Sequence, residues 1–384
     1  MDRRTDMADQ LPRRALQLRS LVTASRTVEV SVEEVDVAAP EANQVVLRVE
    51  AAPINPSDLG LLLAGADLGG AKLTGSGDRP VLSAPLPEAA ARASAARVGE
   101  SLPVGNEGAG TVVAAGPGAG AQALMGKVVA VAGGAMYSQY RTVDAAACLE
   151  LPEGTRAAEG AAAFVNPMTV LGMVETMRME GHRALVHTAA ASNLGQMLNR
   201  LSLEEDVPLV SIVRSDAQAK LLTDAGASEV VDSSRAEFMD ELIGAVRRTG
   251  ATLAFDAIGG GTMASRVLTA MEAAASAGAA FSRYGSSVHK QVYIYGGLDR
   301  TPTELSRTYG MAWGVGGWLL TPFLLKVGPE KVDAMRRRVA DGITTTFASR
   351  FDRTVSLAGA LDLDAVATYS RQATGQKYLI APNT

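Results

Sequence analysis

The chain has 384 residues, which is enough for two globular domains. Hydrophobic residues make up 47% of it and charged residues 20%, a balance typical of a folded enzyme and unlike that of a disordered chain. The net charge of −5 argues against nucleic acid as a main partner, and the single cysteine, Cys148, excludes an internal disulfide and is compatible with the cytoplasm, where we expect the protein to be.

Two segments have some features of targeting or membrane elements. Met1–Gln17 mixes arginines with aspartates and lacks the apolar stretch of a secretory signal, so we expect a frayed extension there. The run Gly314–Leu325 is apolar but too short to span a membrane. We expect it to form a buried strand and turn at a domain or subunit contact, and we expect no membrane association.

Short strands separated by glycine and proline turns dominate the chain up to about residue 160. The predicted strands are Val28–Val35, Gln44–Val49, a strand pair that begins at Gly105, Lys127–Ala132 and Ser138–Val143. This pattern is typical of an irregular β-barrel. The alanine-rich segment Gly75–Ser101 is predicted to be a surface insertion with a short helix.

Strands alternate with helices in the middle of the chain. Helical periodicity appears in Glu159–Arg178, where Pro167 suits a helix start. The predicted strands that follow are one from Ala184, then Leu209–Arg214, Glu229–Val231, Thr252–Ala257 and Gln291–Tyr295. The alternation predicts a doubly wound parallel sheet with right-handed crossovers. The end of the chain, Phe351–Pro382, has a strand, helix, strand pattern closer to the first part, so we expect residues 1–160 and 345–384 to form one domain and residues 161–344 the other.

The segment Ala184–Leu198 is the strongest candidate for a nucleotide site. It is predicted to form a buried strand, a turn of very small residues and a helix, so that backbone N–H groups and the positive helix end can face a pyrophosphate. The candidate cofactor residues in the turn are Ala189, Ala190, Ser192, Asn193, Leu194 and Gly195. Only Gly195 remains of the usual glycine triplet, so a plain strand, turn and helix is the alternative.

Arg214 at the end of the next strand indicates which dinucleotide would bind. An acidic residue there would bind the ribose 2′-hydroxyl of NAD, whereas an arginine suits the 2′-phosphate of NADP. Ser215 and Lys220 would add a hydroxyl and a positive charge, but Asp216 would repel the phosphate. The alternative is a solvated surface arginine. We expect NADPH as the cofactor.

Glycines follow two further strands of the predicted sheet. Ligands bind beyond the carboxyl ends of such strands. Gly259, Tyr295, Gly296 and Gly297 are therefore candidate cofactor residues, and we expect their glycines to keep the crevice open to a ligand.

Six motifs along the chain carry a family resemblance. They are Asn55-Pro-Ser-Asp58, Gly105-Asn-Glu-Gly-Ala-Gly110, Asn166-Pro-Met-Thr169, the Ala189–Gly195 turn, Phe255-Asp-Ala-Ile-Gly-Gly260 and Tyr295-Gly-Gly297. In this order they resemble the medium-chain dehydrogenase/reductase superfamily over nearly the whole chain. The spacing of the small-residue turn and the segment Val315–Leu320 resemble its 2-enoyl thioester reductase branch, with the quinone oxidoreductases close by. The resemblance implies a Rossmann domain that binds NADPH, a GroES-like barrel that carries catalysis, and a homodimer, because the fifth and sixth sheet strands of the superfamily usually pair across subunits.

The resemblance raises the question of zinc, which needs three or four cysteine, histidine or carboxylate ligands. Asn106 stands where the family's alcohol dehydrogenases have a histidine, and one cysteine and three histidines cannot build their four-cysteine lobe. We therefore expect no metal site, and reduction of an activated C=C bond or a quinone rather than alcohol oxidation. An alcohol dehydrogenase would require stoichiometric zinc.

The expected chemistry is hydride transfer from NADPH to the β-carbon of an α,β-unsaturated carbonyl, followed by protonation of the α-carbon. The tyrosine thought to assist protonation in the enoyl thioester reductases is missing after Asn55-Pro-Ser-Asp58, so the proton donor stays open. Asn55 is a candidate donor to the substrate carbonyl or the nicotinamide ribose. Tyr137 and Tyr140 are candidate proton donors, and Trp318 is a candidate wall of the substrate pocket. Thr169 resembles the family's threonine beside the nicotinamide. The alternative roles are a turn before Pro56 for Asn55 and strand packing for the tyrosines. For Trp318 the alternative is packing in the core or at an interface, and for Thr169 it is helix packing.

The expected function is therefore a zinc-independent, NADPH-dependent reductase of enones, enoyl thioesters or quinones. The missing tyrosine keeps a second hypothesis open, a catalytically silent NADPH-binding structural or regulatory protein of the same fold. His187, on the strand before the small-residue turn, is expected to be structural.

Overall fold

The computed structural model describes residues 11–384. They form two compact units, the first reaching to Val165 and including Arg336–Thr384, the second spanning Asn166–Met335. Our boundaries after residues 160 and 344 lie near these limits, and the assignment of the units as catalytic and cofactor-binding domains stays a prediction. Residues 1–10 of the expected frayed extension lie outside the described residues, and the expectation is wrong from Arg14 onward, where the first strand begins.

Strands outnumber helices in the described part of the first unit, whereas the two alternate in the second. The strands are β1 (Arg14–Val22), β2 (Thr27–Asp36), β3 (Gln44–Pro53), β4 (Lys72–Thr74), β5 (Val81–Pro85), β6 (Ser101–Pro103), β7 (Glu107–Ala115), β8 (Val128–Ala132), β9 (Tyr140–Asp144), β10 (Leu149–Glu150), β11 (Leu185–His187), β12 (Leu209–Val213), β13 (Glu229–Asp232), β14 (Leu253–Asp256), β15 (Gly259–Gly261), β16 (Lys290–Ile294), β17 (Asp299–Thr303), β18 (Trp313–Gly317), β19 (Arg353–Val355) and β20 (Tyr378–Ile380). The α-helices are α1 (Leu59–Leu63), α2 (Glu88–Ala93), α3 (Ala119–Gln122), α4 (Ala157–Gly160), α5 (Val165–Met179), α6 (Asn193–Glu204), α7 (Asp216–Asp224), α8 (Phe238–Thr249), α9 (Met263–Ser276), α10 (Leu320–Asp341) and α11 (Leu363–Tyr369). Short 3₁₀ turns lie at Pro56–Asp58, Leu68–Gly70, Ala95–Arg97, Ala145–Ala147 and Gly359–Leu361.

The first unit is built from two mainly antiparallel sheets, as the short-strand pattern predicted. One has the order β4-β5-β2-β1-β6, and the other the order β10-β8-β7-β3-β20-β19 with β9 also paired to β3. Alternate residues of β2, such as Val28, Val30 and Val32, point into an aliphatic core. The end of the chain returns to this unit through β19 and β20.

The alanine-rich segment Gly75–Ser101 was predicted to be a surface insertion, and this is only partly right. It contains the predicted short helix, α2. Its strand β5, however, pairs with β2 and buries Leu82 and Ala84 almost completely. Burial of these two side chains makes β5 part of the core of the first sheet.

The second unit is a six-stranded parallel sheet of order β13-β12-β11-β14-β16-β18. Counted from β11, this is the doubly wound order 3-2-1-4-5-6 of dinucleotide-binding folds. Val186, Val210, Ala254 and Val292 on adjacent strands belong to one core cluster that includes apolar residues of α8 and α9. The strand order reverses between β11 and β14, which is where such folds bind ligands. The predicted fold class is confirmed.

The apolar run Gly314–Leu325 differs from its prediction as a buried strand and turn. It begins in β18, which is only half-buried because it is the last strand of the sheet and has a neighbour on one side alone. It then enters α10, where Leu319 just before the helix and Leu325 within it are 63% and 80% exposed. Gly328 interrupts this helix with a φ of 80°.

One stretch of the described chain, Ala157–Met179, is long and apolar enough to cross a membrane. Its most apolar window is 78% buried inside the protein. A core helix of a globular protein has the same properties, so the stretch is weak evidence for a membrane span.

Candidate functional site

The small-residue turn joins β11 to α6 at the reversal point of the parallel sheet. Thr188 N–H donates to the carbonyl oxygen of Phe255 at 3.2 Å, and Ala190 N–H donates to that of Ile212 at 3.1 Å. The turn is thus bonded to the strands on both sides of β11. Ala189 between them adopts a left-handed φ of 50°, an uncommon conformation for alanine. The backbone of the turn is therefore held in one shape.

The start of α6 explains why one glycine of the usual triplet is retained. The hydroxyl of Ser192 accepts a hydrogen bond from Gly195 N–H at 3.1 Å and caps the helix. A Cβ at Gly195 would lie 2.2 Å from the carbonyl oxygen of Ala190 and 2.6 Å from its carbon. Backbone atoms cannot yield as a flexible side chain can, so only glycine fits. The candidate residues Ala189, Ala190, Ser192, Asn193, Leu194 and Gly195 all belong to this turn and the first turn of α6.

Arg214 follows β12 directly and is exposed. Its backbone N–H donates to Gln218 Oε1 at 3.1 Å. Its guanidinium has no ion-pair partner among residues 11–384. Ser215 caps α7 by accepting a hydrogen bond from Gln218 N–H at 3.3 Å. A cation and a capped helix start therefore lie together at the end of the second strand of the sheet.

Two other charges near Arg214 differ from the sequence-based expectation. Lys220 is in an ion pair with Asp224 at 2.9 Å, so it is already partnered. Asp216, expected to repel a phosphate, is paired with Arg235. Sequence analysis missed Arg235, although its position shortly after β13, the neighbouring strand, was a usable signal.

A buried aspartate shapes the loop after β14, and sequence analysis missed it. Thr188 Oγ1 donates to Asp256 Oδ1 at 2.7 Å and accepts from Ala257 N–H at 2.8 Å. The carboxylate of Asp256 also accepts hydrogen bonds from the N–H groups of Ile258 and Gly259. It therefore joins the small-residue turn to the next loop. Its place at the end of a buried strand, before three glycines, was the signal.

The glycines after β14 and β16 were expected to keep a crevice open, and this is wrong for two of them. A Cβ at Gly259 would lie 2.7 Å from the carbonyl oxygen of Gly296, and one at Gly296 would lie 2.6 Å from that of Ala257. The two loops occupy the space that side chains would need. Gly297 alone has no heavy atom within 4 Å of its Cβ position, other than its own chain neighbours.

Tyr295 and His187 contact each other at the ends of β16 and β11, and His187 is fully buried whereas Tyr295 is half-buried. Their rings stack with centroids 5.8 Å apart, and the tyrosine hydroxyl lies 2.7 Å from His187 Nε2. Burial lowers the pKa of His187 to about 3 and raises that of Tyr295 above its usual value, so both rings are neutral. These contacts favour the structural role expected for His187.

Trp318 and Thr169 were proposed to line the reaction site, and the structure gives their surroundings. The Trp318 indole N–H donates to Thr176 Oγ1 on α5 at 3.1 Å, and its ring lies 5.6 Å from the rings of Phe255 and Phe323. These contacts favour packing as the role of Trp318. Thr169 lies on α5 and is 6% exposed.

Asn55 lies in a buried polar cluster of the first unit. It is 1% exposed, and its Nδ2 donates to Glu107 Oε1 at 2.7 Å. Glu107 Oε2 accepts hydrogen bonds from the N–H groups of Phe164 and Val165 at 2.8 and 2.9 Å, where α5 begins. A carboxylate only accepts, so Nδ2 must face Glu107, and Oδ1 is left without a hydrogen-bond partner. Asn55 was expected to act as a donor, but its unused atom is an acceptor.

Two titratable side chains complete this cluster. Asp58 accepts hydrogen bonds from the N–H groups of Asn55 and Asn106, each at 2.8 Å. Burial, together with the charge of Glu107, raises its pKa to about 7. Lys377 has a buried Nζ with no hydrogen-bond partner; burial lowers its pKa to about 8, although the charges of Glu107 and Asp58 oppose the shift. Sequence analysis did not connect these groups, because they are far apart along the chain.

The tyrosines weighed as proton donors lie in different surroundings. Tyr137 is fully buried, and its hydroxyl donates to the carbonyl oxygen of Pro53 at 3.0 Å. Its ring fills the space beside Gly105, which has a φ of 99°. Tyr140 lies on β9 opposite Arg48, and no hydrogen bond among the described residues joins its hydroxyl to the Asn55 cluster. Packing is thus the role that the contacts of Tyr137 favour.

Asn106 lies at the position where the family's zinc enzymes have a histidine ligand, and its amide is bound to a neighbouring side chain. Asn106 Nδ2 donates to Ser57 Oγ at 3.0 Å. Residues 11–384 contain no group of three histidine, cysteine, aspartate or glutamate side chains suited to a metal ion.

No family model matches the chain. A synaptic vesicle membrane protein VAT-1 homolog of Mus musculus is 32% identical over 166 residues, which are 41% of this chain and 40% of that protein. The chain spans less than half the length of the curated relatives it matches.

Solved structures match over almost the full length. A protein of Mesorhizobium loti described as an NADPH:quinone reductase is 24% identical, with a TM-score of 0.72 and coverage of 97% of this chain and 100% of that one. The Etr1p/NADP/crotonyl-CoA complex is 17% identical, with a TM-score of 0.66 and coverage of 96% and 99%. The chain has the same fold as these two proteins. The fold expected from the six motifs is thereby confirmed, and dinucleotide binding at the small-residue turn stays a prediction.

Proposed function

We propose that this protein is a zinc-independent, NADPH-dependent reductase of activated C=C bonds or quinones. The observation that carries the proposal is the small-residue turn at the reversal point of the parallel sheet. Gly195 lies next to this turn, where a Cβ would clash with the backbone of Ala190. Arg214, which is exposed and without an ion-pair partner among residues 11–384, follows the next strand.

The residues of the second unit fit such a dinucleotide. The first N–H groups of a helix have no partner within the helix, so the start of α6 can bind a pyrophosphate, and the absence of a Cβ at Gly195 allows the turn to lie close to the helix. Arg214 offers its guanidinium to a 2′-phosphate, with Ser215 beside it. When bound, NADPH supplies a hydride to the substrate.

Two observations support the substrate class, namely the residues at the positions of the zinc ligands and the similar solved structures. Asn106 and a single cysteine do not form a zinc site that would activate an alcohol. One similar structure is described as an NADPH:quinone reductase, and another holds crotonyl-CoA, an α,β-unsaturated thioester. A small enone, an enoyl thioester and a quinone are therefore the substrates to test.

The proposal is tested by two measurements on the purified chain. Fluorescence titration should give tight NADPH binding and weaker NADH binding, and loss of NADPH absorbance should report turnover with at least one of a quinone, a small enone and an enoyl thioester. Absence of NADPH binding contradicts the proposal, and stoichiometric zinc in a metal analysis contradicts zinc independence.

A second candidate is a catalytically silent NADPH-binding protein, favoured by the missing tyrosine in the segment Leu59–Leu68. Tight NADPH binding without turnover on any of the three substrate classes would support it.

We also propose a homodimer, because β18 ends the parallel sheet and its outer edge can pair with a second copy. A monomer in sedimentation at micromolar concentration would contradict it.

A further inference from the structure

Lys377 lies directly opposite Asn55 in the first unit. Strand β20 pairs with β3 in antiparallel register, with Leu379 opposite Pro53. The pairing continues by one residue, since Ile54 N–H donates to the carbonyl oxygen of Tyr378 at 3.0 Å. Asn55 keeps an extended backbone, with φ −95° and ψ 156°, so the next opposed pair is Asn55 and Lys377. Opposed residues of antiparallel strands project their side chains to the same side.

The two side chains leave one donor and one acceptor unused. Lys377 Nζ and Asn55 Oδ1 are both buried and without a hydrogen-bond partner among residues 11–384. The nearby Glu107 carboxylate already accepts from Asn55 Nδ2 and from two backbone N–H groups. Buried polar atoms are almost always satisfied in folded proteins, and an exception calls for a functional explanation. An ammonium donor that no protein group uses is available to give a proton to a bound ligand.

Two carboxylates and one aromatic ring lie near Nζ. The charged groups that face it are the carboxylates of Glu107, on β7, and Asp58, which precedes α1. The ring of Phe351 lies 5.5 Å from Nζ. Burial brings the pKa of Lys377 down to about 8, close to neutrality, where a general acid works best. The hydroxyl of Tyr137, by contrast, already donates to Pro53, and burial raises its pKa well above the usual value.

We propose that Lys377 is the proton donor of the reduction and that Glu107 positions it. The inference rests on the proposed function. Hydride from NADPH forms a C–H bond at the β-carbon, the π-electron pair of the C=C bond moves onto the carbonyl as an enolate, and NADP⁺ is left. An N–H bond of the Lys377 ammonium then breaks as a C–H bond forms at the α-carbon. The neutral amine regains a proton from solvent.

The test is a pH profile of NADPH-dependent reduction of an α-methyl enone by full-length protein. Wild-type kcat should fall above about pH 8, as the ammonium of Lys377 loses its proton. Lys377→Met should lower kcat about 100-fold and abolish this basic limb. Lys377→Arg keeps the positive charge and protects the fold, but its guanidinium does not give up a proton, so its rate should also fall.

A second readout separates catalysis from structure. In deuterated water, wild type should give one configuration at the α-carbon, whereas Lys377→Met should give a mixture, because solvent then protonates the enolate from either face. NADPH affinity should stay within about twofold for both variants, since the cofactor's phosphates are proposed to bind elsewhere. Lys127→Met, which removes an exposed lysine of the same unit paired with Glu150, is the matched control and should behave as wild type.

The outcomes distinguish the two proposals. A Lys377→Met variant with wild-type kcat, pH profile and product configuration overturns the role of Lys377 and leaves the reductase function standing. A wild-type protein that binds NADPH but reduces none of the substrates overturns both. Glu107→Gln should move the basic limb to lower pH, because the charge that stabilises the ammonium is removed. An unmoved limb contradicts the positioning role of Glu107.

Discussion

The small-residue turn of the second unit and the Asn55 cluster of the first are built in opposite ways. The turn is one continuous stretch of chain, and its shape follows from backbone hydrogen bonds and a missing Cβ at Gly195. The cluster joins three separate parts of the chain, which contribute Asn55 with Asp58, Glu107, and Lys377, and these groups are coupled by buried charge. The turn is therefore sensitive to the size of a side chain, and the cluster is sensitive to the loss of a charge or a hydrogen bond.

The comparison predicts that the largest loss of stability comes from the cluster. Glu107→Ala would leave Asn55 Nδ2 and two backbone N–H groups without their partner in a buried site, and would remove a charge that stabilises the Lys377 ammonium. We expect the free energy of unfolding to fall by about 3–5 kcal/mol in urea titrations. Glu150→Ala removes a half-exposed carboxylate of the same unit, paired with Lys127, and should cost less than about 1 kcal/mol. Equal losses for both variants would contradict the picture of a buried charge centre.

The turn should respond to a single added carbon. Gly195→Ala forces the Cβ against the backbone of Ala190, so we expect about 1–3 kcal/mol of destabilisation and at least about a tenfold loss of NADPH affinity. Calorimetric melting and fluorescence titration measure the two effects. Gly120→Ala on α3, where no heavy atom lies within 4 Å of the Cβ position, is the steric control and should be neutral. Wild-type affinity in Gly195→Ala would show that the turn does not hold the cofactor.

Cofactor choice should depend on a charge close to the turn. Arg214→Ala should weaken NADPH binding about tenfold, or about 1.4 kcal/mol, and leave NADH binding almost unchanged, since only NADPH carries the 2′-phosphate. Lys220→Ala, whose ammonium is already paired with Asp224, should have a smaller effect. If titration shows equal losses for NADPH and NADH in Arg214→Ala, the arginine does not recognise the 2′-phosphate.

A pH slope of stability is expected from His187 beside the turn. Its folded-state pKa of about 3 lies below its ordinary value of 6.5, so unfolding takes up a proton between these limits. The histidine therefore contributes full stability above pH 6.5, and this contribution is lost as the pH falls toward 3. The slope is about 1.4 kcal/mol per pH unit for one proton. Between pH 4 and 6, urea unfolding of His187→Gln should show a shallower pH dependence than wild type. Parallel curves for the two proteins would mean that the imidazole is already charged in the folded state.

Much of the fold and part of the candidate site were predictable from the sequence. Hydrophobic runs and glycine turns located the parallel strands and the short strands of the first unit, because these are local properties of the backbone. The half-exposed edge strand β18 was not predictable, since an apolar segment does not reveal whether it has one neighbour or two. Gly259 and Gly296 were assigned to an open crevice. The sequence does not show that the backbone of each loop occupies the space beside the glycine of the other.

The sequence by itself determined the order of the elements, the small-residue turn with Gly195, and the presence of an arginine after the second parallel strand. These features depend on side-chain size and on spacing within a few residues, and such local properties do not depend on how distant segments fold. Only the tertiary structure decided that Lys377 faces Asn55, that Glu107 joins Asn55 to the start of α5, and that Asp216 is neutralised by Arg235. The physical reason is that hydrogen bonds and charges act through space over a few ångströms, and the folding of distant segments alone brings these groups within that range.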